Sequence, residues 1–192
     1  GLLQEIEAVP FGVTTKYDGT SATYAWRNDE FSVCSRNLSI KESDRSVYWA
    51  IEKKYNLRQV LENLNARFLK NYAIQGEICG PRIQNNPMGL LNIQFYVFDV
   101  FDIDDKRYLG LEELLRFAED NGLQVVDFTI VYPGAQKVDL DWFLEASSGA
   151  YPNGKSREGV VIRPLVETYS EILKERLRFK VINSEYLLRN EK

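Results

Sequence analysis

A lysine set between two strand-like runs limits the folds open to this chain. Val13-Thr14-Thr15 leads into Lys16, and Tyr17-Asp18-Gly19 follows at once. Ala22-Thr23-Tyr24-Ala25-Trp26 then alternates with the period of two expected of a half-buried strand. Asp-Gly is a turn signal. Residues 8–27 therefore predict two short strands with Lys16 in a tight turn between them. An unpaired ammonium is costly in such a place unless the amine has a task, and nucleophilic attack is the task its chemistry suits.

The rest of the chain mixes both periodicities. Residues 31–35 read as the return strand of a hairpin, with Arg36 and Asn37 at its end. From Asp44 to Phe68 the pattern is helical. Val47, Ile51 and Tyr55 fall on one face, Leu57, Val60, Leu61 and Leu64 on another, and Asn56 breaks the run. Residues 72–79 form a strand that carries Glu77 and ends at Gly80-Pro81, before a polar loop at 82–87. Residues 94–101 are almost wholly apolar, which predicts a central strand buried on both faces. A turn at 102–106 precedes a helix over 111–121, closed by Gly122. A strand over 124–131 and a short helix over 139–147, capped by Asp139, come next. A turn-rich loop at 151–156 leads to a strand over 158–163, with Glu158 at its mouth. The strand 178–182 places Arg178 and Lys180 on one face, and a helix is predicted over 184–192. There is no repeat and no internal linker. This is an α+β pattern of mainly antiparallel sheets flanked by helices, expected to form one domain over residues 1–192.

Composition narrows the chemistry. Apolar residues make up 44% of the chain, enough for a sizeable core. With no histidine, Ser-His and Cys-His nucleophile pairs and histidine-ligated zinc are excluded. Any metal must then be a hard ion held by oxygen, such as magnesium or manganese. Net charge is −4, which argues against a purely electrostatic nucleic-acid binder but leaves room for a local basic stripe. Cys34 and Cys79 lie in apolar strand-like stretches and read as reduced thiols of a cytoplasmic protein. No run is long enough to span a bilayer, so no membrane partner is expected. The first residue is glycine, which suggests a fragment of a longer chain.

Polar groups recur at strand ends inside apolar segments: Lys16 and Asp18, Arg36, Glu77, Glu158, Arg178 and Lys180. Taken singly, each has a plain explanation. Phe98 can fill a core with Phe95, Tyr96 and Phe101. Arg36 can be a solvated strand end, and Gln84-Asn85-Asn86 an ordinary loop. Glu77 and Glu158 can be surface carboxylates, although both sit where an isolated charge is costly.

Their order and type are more specific. KYDGTS (16–21), SRN (35–37), GEICGP (76–81), FYVFDVFD (95–102), EGVVI (158–162) and LRFKVIN (177–183) resemble the signature of the covalent nucleotidyltransferases, which are ATP-dependent DNA and RNA ligases and mRNA-capping enzymes. The likeness runs from about residue 10 to 188. GEICGPRIQNN and FYVFD are similar to nick-sealing RNA ligases. FKVIN…YLLR looks like the Deinococcus-type RNA ligases, which carry an additional N-terminal OB domain. The resemblance implies the ATP-grasp-like nucleotidyltransferase fold and an adenylyltransferase domain without its flanking OB or other RNA-binding domain. It implies that Lys16 attacks the α-phosphate of ATP and becomes a lysyl-AMP, and that AMP then passes to an RNA 5′-phosphate which a 3′-hydroxyl seals. Arg178 and Lys180 are expected at the developing phosphate charge. The implied nucleotide contacts are Thr15 (through its backbone), Gly19, Arg36, Glu77, Phe98 stacked on adenine, and Glu158. Asp18, Glu77 and Glu158 are expected to grip a hydrated magnesium or manganese ion. The implied partners are RNA ends or nicked duplex RNA, met by a monomer.

A lysine attacks only as the free amine. With a reference pKa near 10.4, only about one amine in 2,500 is neutral at pH 7, so the site must favour the attacking form. One position departs from the family. Arg178 stands where these ligases most often have lysine, which keeps a phosphate-binding role and leaves an acid-base role there in doubt. The alternatives are a DNA ligase, a GTP-using capping enzyme and a catalytically silent nucleotide- or RNA-binding module. A pure binder has no need of the nucleophile.

Overall fold

The structure is a computed structural model, and it describes residues 1–190. Along the chain run helix α1 (Leu2–Glu7), strands β1 (Phe11–Lys16), β2 (Thr20–Arg27) and β3 (Glu30–Ser35), and helices α2 (Val47–Tyr55) and α3 (Leu57–Phe68). Strands β4 (Tyr72–Cys79), β5 (Gln94–Asp102) and β6 (Arg107–Tyr108) precede helix α4 (Leu111–Asp120). Then come β7 (Gln124–Val125), β8 (Phe128–Val131) and helix α5 (Leu140–Ser147). The chain closes with β9 (Gly159–Pro164), β10 (Tyr169–Ser170), β11 (Glu175–Arg176), β12 (Phe179–Ile182) and helix α6 (Ser184–Asn190). The last two positions of the helix predicted over 184–192 lie outside the described residues. These elements form two compact units. One holds Gly1–Asp18, Gly110–Glu112 and the chain from Val126 onward; the other holds Gly19–Leu109 and Glu113–Val125.

The first unit is built on a four-stranded sheet in the order β12-β9-β1-β8, antiparallel throughout. Lys16 lies opposite Gly159, and Thr14 and Lys180 both lie opposite Val161. Residues directly opposite share a face, so Thr14, Lys16, Val161 and Lys180 look to one side. Phe11, Val13, Val131, Val160, Ile162 and Phe179 look to the other side. There they meet Ile6, Val138, Phe143 and Leu177 in the core. Burial of each such side chain contributes roughly 1.5–3 kcal/mol. Helix α5 covers this face, with Trp142 edge-on to Phe11 at 6.0 Å and Phe143 against Phe179 at 5.6 Å. It starts where expected, because the Asp139 carboxylate accepts the Trp142 backbone N–H at 3.0 Å.

The second unit is a six-stranded sheet in the order β3-β2-β4-β5-β6, antiparallel, with β7 added parallel to β5. The predicted hairpin is the β2–β3 pair. Asn56 takes a left-handed conformation (φ 52°) and separates α2 from α3, as the change of apolar face requires. Ile51, Leu57 and Leu61 of these helices are buried, as are Tyr24, Ile74, Ile78, Phe95 and Val97 of the sheet.

Three expectations need correction. Lys16 is the last residue of β1 and not part of the turn between the two strands; residues 17–19 carry the chain from one sheet to the other. The strand predicted over 124–131 is interrupted at Val126 and Asp127, because β7 joins β5 while β8 joins β1. β5 is not buried on both faces: Phe95 and Val97 are buried, while Tyr96 and Phe98 are only partly buried. Its register also slips, since Gln75 pairs with Asp99 but Gly76 pairs with Val97, which leaves Phe98 as the extra residue of a β-bulge.

Candidate active site

Lys16 is the last residue of β1, and Glu158 is the residue just before β9. Their side chains meet at 2.6 Å, Nζ to Oε1, with 27% and 17% of each exposed. The register that places Lys16 opposite Gly159 brings Glu158 close to it. Gly159 itself has no substitute. Its φ is +149°, and a Cβ there would lie 2.2 Å from the Val181 carbonyl oxygen. Only glycine lets β12 approach β9 this closely, and that approach brings Lys180 into line with Val161. Lys16, Arg178, Lys180, Val161, Leu173 and Glu175 line one open cavity of about 480 Å³.

Asp18 is held at both ends. Its backbone N–H donates to the Tyr151 hydroxyl at 3.1 Å, and its Oδ2 accepts from the Tyr186 hydroxyl at 3.0 Å. The Tyr151 hydroxyl in turn donates to the Lys16 carbonyl at 3.2 Å. Burial pushes the Tyr151 phenol up to about 12, partly offset by backbone hydrogen bonds from Glu158 and Asp18, so it remains a donor at neutral pH. Burial also raises Tyr186, reinforced by the hydrogen bond to Asp18 and by the charges of Asp18 and Glu158. Tyr17 donates to the Asp127 carboxylate at 2.7 Å. The Thr15 amide N–H donates to the Asp127 carbonyl at 2.7 Å, and the Thr15 side chain lines a separate cavity of about 560 Å³ beside Trp142 and Arg157.

In the second unit, Glu77 on β4 accepts the Gly19 backbone N–H at 3.1 Å. Gly19 is a glycine for a steric reason, since a Cβ would lie 2.3 Å from the Ile78 carbonyl oxygen. Thr20 and Tyr48 share a hydroxyl–hydroxyl hydrogen bond at 3.0 Å. Arg36 is exposed just after β3, and Phe98 sits in the β5 bulge.

Lys16, Glu158, Arg178 and Lys180 are therefore gathered in the first unit, with Asp18 on the turn that follows Lys16. Glu77 holds Gly19 in the second unit, where Arg36 and Phe98 stand elsewhere on the same sheet. Among the described residues, no group of three or more acidic or thiol side chains is close enough together to hold a metal ion. Each expected carboxylate already has a protein partner: Glu158 has Lys16, Asp18 has Tyr186 and Glu77 has Gly19. Asn183 and Tyr186 fall within the quoted FKVIN…YLLR stretch, but neither was expected to have a role, and Tyr151 carries no pattern that singles it out. Asn183, fully buried, donates to the Arg157 carbonyl at 3.0 Å and accepts the Glu185 N–H at 3.1 Å at the start of α6.

The fold agrees closely with solved structures of a Naegleria gruberi RNA ligase. A variant with ATP and Mn is 28% identical, with a TM-score of 0.85 over 98% of this chain and 54% of that one. A second variant, with AMP and Mn, is 28% identical, with a TM-score of 0.84 over 98% and 54%. The protein with PPi is 30% identical, with a TM-score of 0.83 over 99% and 55%. The chain thus spans about half the length of these relatives. No curated protein matches it. The RNA ligase family profile matches residues 9–182, a stretch that contains every site residue named above except Asn183 and Tyr186. With the lysine, its carboxylate and the basic strand assembled inside that stretch, the chain belongs to the RNA ligase family.

Proposed function

We propose that the chain is the adenylyltransferase part of an ATP-dependent RNA ligase. The observation that carries this reading is the 2.6 Å contact of Lys16 with Glu158, on a cavity that Arg178 and Lys180 also line. An amine in an ion pair has no free lone pair, so the contact must break and Nζ must lose a proton before attack. Nζ then bonds to the α-phosphorus of ATP, the α–β phosphoanhydride bond breaks, and pyrophosphate leaves. Arg178 and Lys180 meet the charge that grows on the phosphoryl oxygens. Glu158 is the nearest base for the lysine proton. Relatives solved with ATP, AMP and PPi support this direction of chemistry.

In this reading Arg36, Glu77, the Thr15 carbonyl and Phe98 contact the nucleotide. Phe98 is suited to stack on a base because, at the bulge, it is only partly buried. An all-carboxylate donor set suits a hard ion. The three carboxylates form no direct ligand cluster, so magnesium or manganese would be met only through its waters, by Asp18 and Glu158, and would supply positive charge against the phosphates. The AMP then moves to an RNA 5′-phosphate, at a nick or a pair of ends, and a 3′-hydroxyl displaces it. The protein acts as a monomer in the cytoplasm. No helix among the described residues is long and apolar enough to cross a membrane.

The test is incubation with α-labelled ATP or GTP and magnesium or manganese, followed by a denaturing gel. Covalent label from ATP that is lost in Lys16→Ala is the expected result. No label on folded protein with either nucleotide overturns the reading, and label from GTP alone replaces it with a capping activity. Sealing assays on nicked RNA and nicked DNA then separate the two ligases.

A further inference from the structure

We infer that Tyr151 is a positioning residue whose hydroxyl sets the Lys16–Asp18 turn and so aims the Lys16 amine. The inference rests on the lysine adenylylation proposed above. One hydroxyl spans two chain positions: it donates to the Lys16 carbonyl at 3.2 Å and accepts the Asp18 N–H at 3.1 Å. These contacts bracket Tyr17 and restrain the backbone on both sides of it. Lys16 is where β1 ends, so the ladder holds its N-terminal side and only the turn holds its C-terminal side. The Tyr151 hydroxyl anchors that side through the backbone at Lys16 and Asp18, alongside the side-chain contacts of Tyr17 with Asp127 and of Asp18 with Tyr186.

The tyrosine is itself firmly mounted. Its side chain is 4% exposed, and its ring packs against Tyr17 with centroids 6.2 Å apart. Its loop closes on itself, with Tyr151 N–H to the Lys155 carbonyl at 2.8 Å and Gly154 N–H to the Tyr151 carbonyl at 2.9 Å. Buried Asn183 fastens the end of the loop through the Arg157 carbonyl. A hydroxyl on such a support transmits little motion. This matters because near-attack geometry is demanding: a misplacement of about 1 Å costs on the order of 100-fold in rate. Ring packing alone would leave phenylalanine equally good at this position, which gives the inference its test.

Tyr151→Phe keeps the ring and removes both of these contacts, together with the hydrogen bond from the Glu158 backbone. Tyr55→Phe is the matched control. Its hydroxyl also makes two hydrogen bonds, to Gln94 Oε1 at 2.7 Å and from the Phe95 N–H at 3.3 Å, in the second unit. Single-turnover formation of the lysyl adenylate is followed across a range of ATP concentrations, alongside thermal melting. We expect Tyr151→Phe to lower the limiting rate by about 10- to 100-fold, to leave the half-saturating ATP concentration nearly unchanged, and to leave Tyr55→Phe at the wild-type rate. A limiting rate equal to wild type, or a change confined to half-saturation, overturns the inference while the adenylylation reading stands. Wild-type protein that fails to label overturns both. Amide hydrogen exchange in the wild-type protein covers the case where Tyr151→Phe does not fold: the Asp18 N–H, held by the Tyr151 hydroxyl, should exchange as slowly as the amides of the β1 ladder. Exchange of that N–H at the rate of an open loop counts against the inference.

Discussion

Gly159→Ala probes the support of the site more sharply than replacement of any charged residue. The new methyl would lie 2.2 Å from the Val181 oxygen and 3.0 Å from the Ile182 Cα. Ordinary contact begins near 3.4 Å, so β9 and β12 must separate by roughly 1 Å or bend. Overpacking of this kind costs about 1–3 kcal/mol. Alanine at φ +149° adds backbone strain of about 1–3 kcal/mol. Partial relaxation brings the expected loss to about 3–4 kcal/mol, a large share of the ~5–15 kcal/mol that holds a domain together. The same separation draws Lys180 away from Val161 and shifts Glu158 from Lys16. Urea denaturation measures the stability loss, and nucleotide labelling at a temperature where the variant remains folded measures the site. A variant within about 0.5 kcal/mol of wild type, or one that labels at the wild-type rate, would refute the claim that the β9–β12 approach builds the site.

Other consequences are open to measurement. Glu158→Gln removes the charge but keeps an oxygen for Lys16; stability should change by less than about 1 kcal/mol, as for other partly exposed pairs, while labelling falls at least 10-fold. A labelling rate within twofold of wild type would remove Glu158 from the chemistry. Asn183→Ala strips a buried side chain of its hydrogen bonds to Arg157 and Glu185 and should cost about 1–3 kcal/mol in chemical denaturation; an unchanged midpoint contradicts this. The stability–pH curve should fall on the alkaline side. Tyr151 titrates near 10 when unfolded and near 12 when folded, so its contribution is complete below about pH 10 and lost as pH rises through about 12. The two-unit shift amounts to about 2–3 kcal/mol, and Tyr151→Phe should flatten that part of the curve.

Local patterns were legible where local forces decide the outcome. Asn56 broke the helix because left-handed backbone suits asparagine, and Asp139 capped α5 because its carboxylate reaches the Trp142 N–H. The ordered motifs from Lys16 to Lys180 pointed to the family whose profile matches residues 9–182, because phosphoryl chemistry constrains which residue types such motifs use. Long-range pairing was not legible. β1 runs between β8 and β9, which lie more than 100 residues away along the chain, and nothing near Lys16 shows that β2 leaves for another sheet. The apolar run of β5 concealed a bulge, since one inserted residue alters register without altering composition. Tyr151 was invisible for a related reason, and Tyr186, although inside the quoted YLLR, had no role assigned to it. A single hydroxyl makes their contacts, and a tyrosine in a loop or a short helix carries no periodic signal.

The account depends on where the nucleotide becomes attached. Folded protein is incubated with ATP and magnesium or manganese, its intact mass is taken, and the modified peptide is sequenced by tandem mass spectrometry. The account predicts one adenylyl group on Lys16, released by acid as a phosphoramidate should be and absent from Lys16→Ala. An adenylyl group on any other residue, or a Lys16→Ala protein that still gains the mass, would contradict it.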